Sequence, residues 1–590
     1  MASQEILVPD DPRQEHDLAR LDTLPTDIIL QICKYLPGWR DMLDLLMVSP
    51  SLYRLHAERE IWSVLVSSCL NVSDAPRICY PDHPIYCYSA DELRRTFIRW
   101  KVAENIWKDR AQVCKNDLGI YEPVLREVPV IRTTHTPFEL QDRSILIPGG
   151  RWLIVLTDAV SAVYYDLTST VDTHTPGLCT LFPSQLRPET QDDTGKQISV
   201  SLPDVDMASA HAPLKFRFAI TFTSSTGTSE NGASCCVLQI WEVTTVLDGD
   251  GDSQPQPQSS QSRLSATLLA SISFPLLLSG EFISAKAITG NNVVVDIPNL
   301  RLGPTTTCIA MIDWTTIRHA EDGFKRRVIV FEGILHSAML LGAHNLLLTS
   351  HKGIFLYDYR RTKVIRSFSG KGIDIPVDPD HSMLCRSFAS GEFHFVSAPV
   401  IVRLPNGTTS QNVACCNSGG EMHLISISPR RSQLPHSDDR EGPQSTGDLG
   451  KDQVESWYLG DSPARKAFKK TLASTTTMCL GVNQGVILDR TIRKYGGVNT
   501  QLSIACYERE ALDRIAKSVN DESQDSAFGG GLYGDYVVGQ VISRDIPIRF
   551  GGPSNHGHTT DSSSSSVLFF DESIARMVLY VDRRFHIVDL

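Results

Sequence analysis

Three hydrophobic textures follow one another along the chain. Residues 19–70 carry short apolar clusters at helical spacing. Residues 89–111 carry one longer helical pattern, and from 121 onward short β runs are separated by polar, Gly-, Ser- and Pro-rich stretches. The middle pattern is the most regular. Ser89 and Glu92 stand as a capping box. Leu93, Phe97, Trp100, Ala103 and Trp107 then recur on one helical side. The spacing predicts a helix over 89–111, either an ordinary packed helix or a spacer rod of roughly 35 Å.

In the β region, runs such as "RWLIVLT", "AVYYDL", "KFRFAITFTS", "NNVVVDI" and "MVLYVD" are strands by composition, expected at four to eight residues. Several end on an apolar or aromatic residue followed by an acid: Tyr165-Asp166, Trp241-Glu242, Ile312-Asp313, Tyr357-Asp358 and Val588-Asp589. The acid is expected to cap backbone donors in the turn that follows. "HNLLLTSHKGIFLYDY" (344–359) reads as a hairpin and resembles a degenerate WD-type propeller blade. No long helical pattern interrupts the strands, so a parallel βαβ sheet is not expected. Segments 183–199, 247–265, 429–456, 517–531 and 551–566 are polar and of low complexity, and they are expected as disordered insertions. Set aside those insertions, and about 45–55 residues per blade leaves room for six to eight blades, seven favoured. A pair of β-sandwiches is the alternative. A closed ring must also pair its ends. The run "RRFHIVDL" is therefore expected beside "REVPVIRT" (126–133) or "SILIPGG" (144–150).

The expected organisation is α+β and multidomain. It comprises a disordered N-terminus (1–18), a small all-α domain (19–70), a linker (71–120) with its helix, and an all-β propeller (121–590).

Composition narrows the setting. The chain has 590 residues, 41% hydrophobic and 21% charged, which suits a globular protein with sizeable cores. A net charge of −12 supplies no global basic field to recruit nucleic acid or an anionic membrane, so neither is expected as a partner. The first residues lack a basic and then apolar signal sequence, and no apolar run nears the roughly 20 residues of a spanning helix. The 14 cysteines include no Cys-x-x-Cys. The adjacent pairs Cys235-Cys236 and Cys415-Cys416 would point to opposite faces of a strand and could not share one metal. Reduced, structural cysteines in the cytoplasm or nucleus are expected.

Sequence motifs for catalysis fail on inspection. "GGGLYG" (529–534) follows no strand and opens no helix. "DGDGD" (248–252) starts like a calcium loop, but Ser253 and Ser259 replace the required Gly and Glu. Gly370-Lys371-Gly372 lacks the rest of a phosphate loop, and His556 and His558 lie in a Ser-rich stretch. No catalytic residue, cofactor or metal is assigned. Basic clusters stand against the acidic background: Lys325-Arg326-Arg327, Arg360-Arg361, Arg430-Arg431, Arg465-Lys466 and Lys469-Lys470. They read as solvated turns or, more sharply, as an Arg-lined pocket for a phosphorylated segment.

The N-terminal helices carry the most specific signal. Pro25 suits a first turn with Thr23 as its cap, and Ile28, Ile29, Ile32, Tyr35 and Leu36 form one broad apolar face before Pro37-Gly38. A second helix brings Met42, Leu45 and Leu46. Ser49-Pro50 opens a third, with Leu52, Leu55, Trp62 and Leu65 on one side. Such small helices cannot bury all these faces among themselves, so apolar surface is left for a partner. The order Leu24-Pro25, Ile28/Ile29/Ile32, Tyr35-Leu36-Pro37, Asp41 and Leu45, Val48-Ser49, Leu55 and Ile61-Trp62 resembles the F-box across residues 22–65. The departure is Pro50-Ser51-Leu52-Tyr53, where the family carries a basic residue and then Trp.

The resemblance implies a non-catalytic adaptor. The helices would dock a Skp-family adaptor and through it a cullin and a RING subunit. The propeller would hold a protein substrate for ubiquitination, a phosphorylated one if the basic clusters read phosphate. The docking residues implied are Leu24, Pro25, Ile28, Ile29, Ile32, Tyr35, Leu36, Leu45, Val48, Leu52, Leu55 and Trp62. Two rivals remain: an F-box scaffold acting outside ubiquitination, and a propeller enzyme with a fused adaptor.

Overall fold

The computed structural model describes residues 21, 24–36, 39–71, 81–113, 124–128, 143–168, 179–184, 197–206, 212–225, 234–247, 262–275, 282–298, 306–317, 325–342, 344–362, 364, 384–390, 393–397, 400–403, 409–417, 421–428, 453–461, 474–480, 484–492, 498–506, 542–546, 566–571, 576–581 and 584–589. A small helical N-terminal region precedes a mainly-β, propeller-like arrangement. Two compact units result, one of residues 1–71 with 85–98 and one of residues 72–84 with 99–590.

The helical unit contains α1 (Thr26–Tyr35), α2 (Trp39–Met47), α3 (Pro50–Arg54), α4 (Arg59–Asn71) and the first turns of α5 (Ala90–Val113). Ser49 caps α3 as expected, its hydroxyl accepting from Leu52 N at 3.2 Å, with Pro50 in the first turn. The capping box of α5 forms in both directions. Ser89 N donates to Glu92 Oε2 at 2.8 Å and Glu92 N donates to Ser89 Oγ at 3.3 Å. Two local expectations are corrected. Pro25 is itself the N-cap of α1, which has no side-chain cap, while Thr23, Pro37 and Gly38 lie outside the described residues. The expected third helix is two helices, because a 3-10 turn (Leu55–Ala57) leads to an extended Glu58 between α3 and α4. Residues 85–98 of the expected linker pack within the helical unit, where Leu93 and Phe97 are buried, in keeping with the packed-helix reading.

The β unit forms seven sheets of four or five antiparallel strands among the described residues. The first runs over Ser144–Leu146, Trp152–Leu156, Ala162–Asp166 and Cys179–Phe182. The second contains Lys215–Ser225, Ser234–Leu247 and Ser262–Pro275, two of them 14 residues long and well beyond the expected length. The third spans Ser284–Thr289 to Arg326–Glu332 and the fourth Leu335–Leu341 to Leu384–Ser390. The fifth spans Phe393–Val396 to Gln453–Asp461 and the sixth Ser474–Leu480 to Ile542–Ile546. The last sheet joins the two ends of the region. Val124–Val128 pairs antiparallel with Arg584–Asp589, Val124 opposite Asp589 and Val128 opposite Phe585. The first of the two expected closing segments, 126–133, overlaps this strand at 126–128.

Side-chain alternation explains why these strands read as unbroken apolar runs. Trp152 and Ile154 face the second sheet and pack with Phe216, Phe218 and Trp241. Leu153 and Val155 face the last sheet and pack with Val578, Phe585 and Ile587. Likewise Val293 and Val295 meet Leu238 and Ile240 of the second sheet, while Val294 meets Leu346 and Leu348 of the fourth. A sheet covered on both faces needs apolar residues at odd and even positions alike. A further layer joins the fourth and fifth sheets through Leu347, Phe393 and Cys415. The described apolar layers between sheets number five, against the six to eight blades expected from the strand spacing.

The acids at strand ends behave as expected in three cases. Asp166 Oδ1 accepts from Thr168 N at 2.9 Å, Asp313 Oδ1 from Thr315 N at 3.2 Å and Asp358 Oδ1 from Arg360 N at 3.1 Å. Each is an Asx-turn that holds the chain as it leaves the sheet. Glu242 is different. Its strand continues to Leu247, so no turn follows, and the carboxylate meets Lys215 Nζ at 2.9 Å and Arg217 Nε at 3.1 Å. Two insertion boundaries also move, since Ser262–Pro275 and Gln453–Asp461 claim the last residues of 247–265 and 429–456 for strands. Ile198–Val200 does the same at the end of 183–199. The segments 1–18 and 517–531 lie outside the described residues.

Residues 81–84 belong to the β unit. Asp82 accepts from Trp152 Nε1 and from Arg151, both at 2.9 Å. Its backbone carbonyl accepts from Leu214 N at 3.0 Å and from the Thr245 hydroxyl. His83 bonds the Ser262 hydroxyl. One short segment is thereby tied to both the first and second sheets.

Candidate partner-binding face

The apolar face read along α1 divides in two. Ile29 and Cys33, one turn apart, are buried in the helical unit. Burial pushes the Cys33 thiol up, so it serves as an apolar contact. Ile28, Ile32 and Tyr35 lie at i, i+4 and i+7, a stripe beside the buried one. Ile28 is 44% exposed and Tyr35 84%, with Ile32 half-buried between them and Pro25 exposed at the helix start. A second apolar exposure falls at the junction of α2 and α3, where Met47, Val48 and Tyr53 are 66%, 72% and 55% exposed.

The core of the unit is built from other residues. Met42, Leu46, Leu52, Leu55, Ile61, Trp62 and Leu65 are buried in the same region. Phe97 of α5 stands edge-on to Trp39 at 5.8 Å and tilted against Trp62 at 6.0 Å, and the Arg94 guanidinium lies over Trp62 at 5.9 Å. Arg59 donates to the carbonyls of Ile85 and Tyr88, both at 2.8 Å, fixing the 3-10 turn that precedes α5. The core is thus completed by 85–98. Ile28, Tyr35 and Val48 lie outside this core.

Of the twelve docking residues implied by the resemblance, Ile29, Leu52, Leu55 and Trp62 are core. Pro25, Ile28, Tyr35 and Val48 are exposed, and Leu24, Ile32, Leu36 and Leu45 are half-buried. The surface open to a partner is therefore narrower than the motif. Met47 was not among the twelve, although its place beside Val48 at a helix end was a signal for it. Arg59 as the anchor of 85–88 had no signal, because its partners are backbone carbonyls about thirty residues away.

Among the described residues no group of three metal-binding side chains comes together, and no helix is long and apolar enough to cross a membrane. Burial pushes the Cys236 thiol up to about 12 and Cys415 higher still. Thiols held protonated in apolar layers are inert. "GGGLYG", "DGDGD", Gly370–Gly372, His556 and His558 lie outside the described residues.

No family model matches the chain, and no curated protein matches it. Among solved structures it is similar to Drosophila Semaphorin 1a, extracellular domains 1–2, at 11% identity over 75% of this chain and 99% of that one, with a TM-score of 0.27. It is also similar to a point mutant of the Synechocystis apocarotenoid oxygenase at 11% identity, over 47% of this chain and 66% of that one, with a TM-score of 0.17. At these scores neither likeness bears on function.

Proposed function

We propose that the helical unit is an F-box that docks a Skp-family adaptor, and that the chain is a non-catalytic substrate-recognition subunit of a cullin-RING ubiquitin ligase. The propeller-like region would hold the protein to be ubiquitinated. The observation that carries the reading is the exposure of Ile28, Tyr35 and Val48 on a unit whose own core is filled. All three are positions the F-box resemblance assigns to the adaptor. Helix-in-groove docking uses anchors at this spacing.

The test is a purified pull-down with a Skp-family adaptor. Replacing Leu24 and Pro25 by Ala, or Ile28 and Tyr35 by Ser, should weaken binding by about 2 kcal/mol or more, the scale of central anchors. Wild-type affinity in both variants would overturn the reading. In co-purification from cells, recovery of cullin with the adaptor supports the ligase role. Adaptor without cullin supports the scaffold outside ubiquitination.

A further inference from the structure

Two basic clusters, over thirty residues apart in sequence, meet in the β unit. Arg327, on the outer strand of the third sheet, donates through Nη1 to the carbonyls of Tyr359 and Arg360, at 3.4 and 3.1 Å, and to that of Thr362. Those carbonyls belong to the turn that leaves the fourth sheet after Asp358 and carries Arg360 and Arg361. Lys325 precedes Arg327 by two residues, so in extended backbone it lies on the same side of the strand. Arg326, between them, is buried on the other side. Lys325, Arg360 and Arg361 are exposed.

The described acids nearby, Asp358 and Asp313, have partners of their own. Asp358 accepts a two-pronged bond from Arg360, Nε and Nη2 each at 3.0 Å, and pairs with Arg361 at 3.6 Å. Burial would raise its pKa, but the Arg360 bonds outweigh that and hold it low, so it stays ionised. Asp313, whose backbone bonds the Lys325 carbonyl, turns its carboxylate to Thr315. Among the described residues, four cations therefore stand with two carboxylates, Asp313 and the Asp358 that Arg360 and Arg361 share, in a protein of net charge −12.

We infer that Lys325, Arg327, Arg360 and Arg361 form a docking surface for an acidic polypeptide segment, a run of carboxylate side chains. Charge complementarity selects an anion, and the geometry selects its form. A phosphate cradle needs guanidinium forks converging on one point. Here the Arg360 fork is spent on Asp358, and Arg327 Nη1 is spent on backbone carbonyls. What remains is positive charge spread along a strand end and a turn, which matches several spaced monoanions better than one dianion. The local field also runs against the charge of the whole protein, so attraction is short-ranged and favours a peptide over a long nucleic acid. The inference does not depend on the adaptor reading, since it involves the β unit alone.

The full chain is titrated with fluorescein-labelled peptides of eight glutamates, of eight glutamines, and of Ser-Gly repeats with one phosphoserine, followed by anisotropy. Binding of the glutamate peptide, weakened by added salt, with no binding of the glutamine peptide, is expected. The double variant Lys325→Ser/Arg361→Ser spares the Arg327 bracket and the Arg360–Asp358 pair. It should lose about three- to tenfold in affinity, the scale of two exposed charge contacts, with an unchanged melting temperature. Equal affinity of wild type and double variant would overturn the site. Tighter, variant-sensitive binding of the phosphoserine peptide would replace the acidic segment by a phosphate ligand, and tighter binding of a short single-stranded RNA would replace it by nucleic acid.

Discussion

The indole Nε1 of Trp152 donates to the Asp82 carboxylate at 2.9 Å, across 70 residues of chain. The other carboxylate oxygen holds Arg151, whose guanidinium also forks onto Asp166 at 2.8 and 3.2 Å and lies 4.4 Å above the Trp152 ring. Each member of this network is less than a quarter exposed. Asp82→Ala would orphan an indole N–H and unbalance a cation shared by two acids. A loss of about 2 kcal/mol or more is expected. Asp82→Asn keeps the carbonyl acceptor for Trp152 and should lose less. Urea denaturation of the two variants checks the order, and a β unit expressed without residues 72–84 should be the least stable.

The same network should set an acid limit. Burial alone would raise Asp166, but Arg151 and Thr168 outweigh it and hold the carboxyl below its ordinary value. A group depressed on folding stabilises the fold above its unfolded pKa, and that contribution is lost as pH falls through the folded value. Stability should therefore be level near neutrality and decline below about pH 4. In Asp166→Asn this part of the decline should be missing. Parallel acid slopes in the two proteins would contradict the assignment.

Exposed and buried members of the N-terminal motif should part company. Leu52→Ala opens a cavity and should cost about 2 to 5 kcal/mol of stability in the helical unit. Ile28→Ser and Tyr35→Ser remove exposed surface and should leave stability within about 0.5 kcal/mol, while adaptor binding falls. Circular dichroism melts beside the pull-down separate the two effects.

Val160 is fully buried with φ at 53°, in the tight turn closed by Val160 N to Thr157 O at 2.9 Å. A β-branched residue in left-handed backbone carries strain of about 1 to 2 kcal/mol. Val160→Ala loses apolar packing and keeps most of the strain, whereas Val160→Gly loses slightly more packing and releases it. The glycine variant should be at least as stable as the alanine variant. A melting order with Gly clearly below Ala would show that no strain resides there.

The last sheet depends on both ends of the β region. Deleting 584–590 removes Phe585 and Ile587 from the layer against Leu153 and Tyr165, removes the buried Val588, and leaves 124–128 and 576–581 without their shared neighbour. Broad, non-cooperative melting or aggregation is expected. A sharp transition like that of the full chain would make this strand peripheral.

Local rules were written in the sequence. Capping at Ser49 and at Ser89–Glu92, the hairpin of 344–359 and the Asx-turns at Asp166, Asp313 and Asp358 each depend on residues within a few positions of one another. Strand composition and the want of helical pattern after 121 set the class of the β region. Helix lengths, strand lengths and partners were decided elsewhere. The 14-residue strands of the second sheet gain their ends from neighbours, which continue pairing through residues whose own composition is polar. The broad apolar face of α1 carried two jobs that periodicity alone cannot separate. Only burial in the fold, with Phe97 of a segment assigned by sequence to the linker packed on Trp62, shows that Ile29 and Trp62 are interior and Ile28 and Tyr35 are not. The meeting of Lys325–Arg327 with Arg360–Arg361 is likewise invisible in sequence, because it is made by two sheets stacked face to face. Short-range hydrogen-bond geometry is encoded where it acts, whereas burial is a property of whatever the fold brings to the other side.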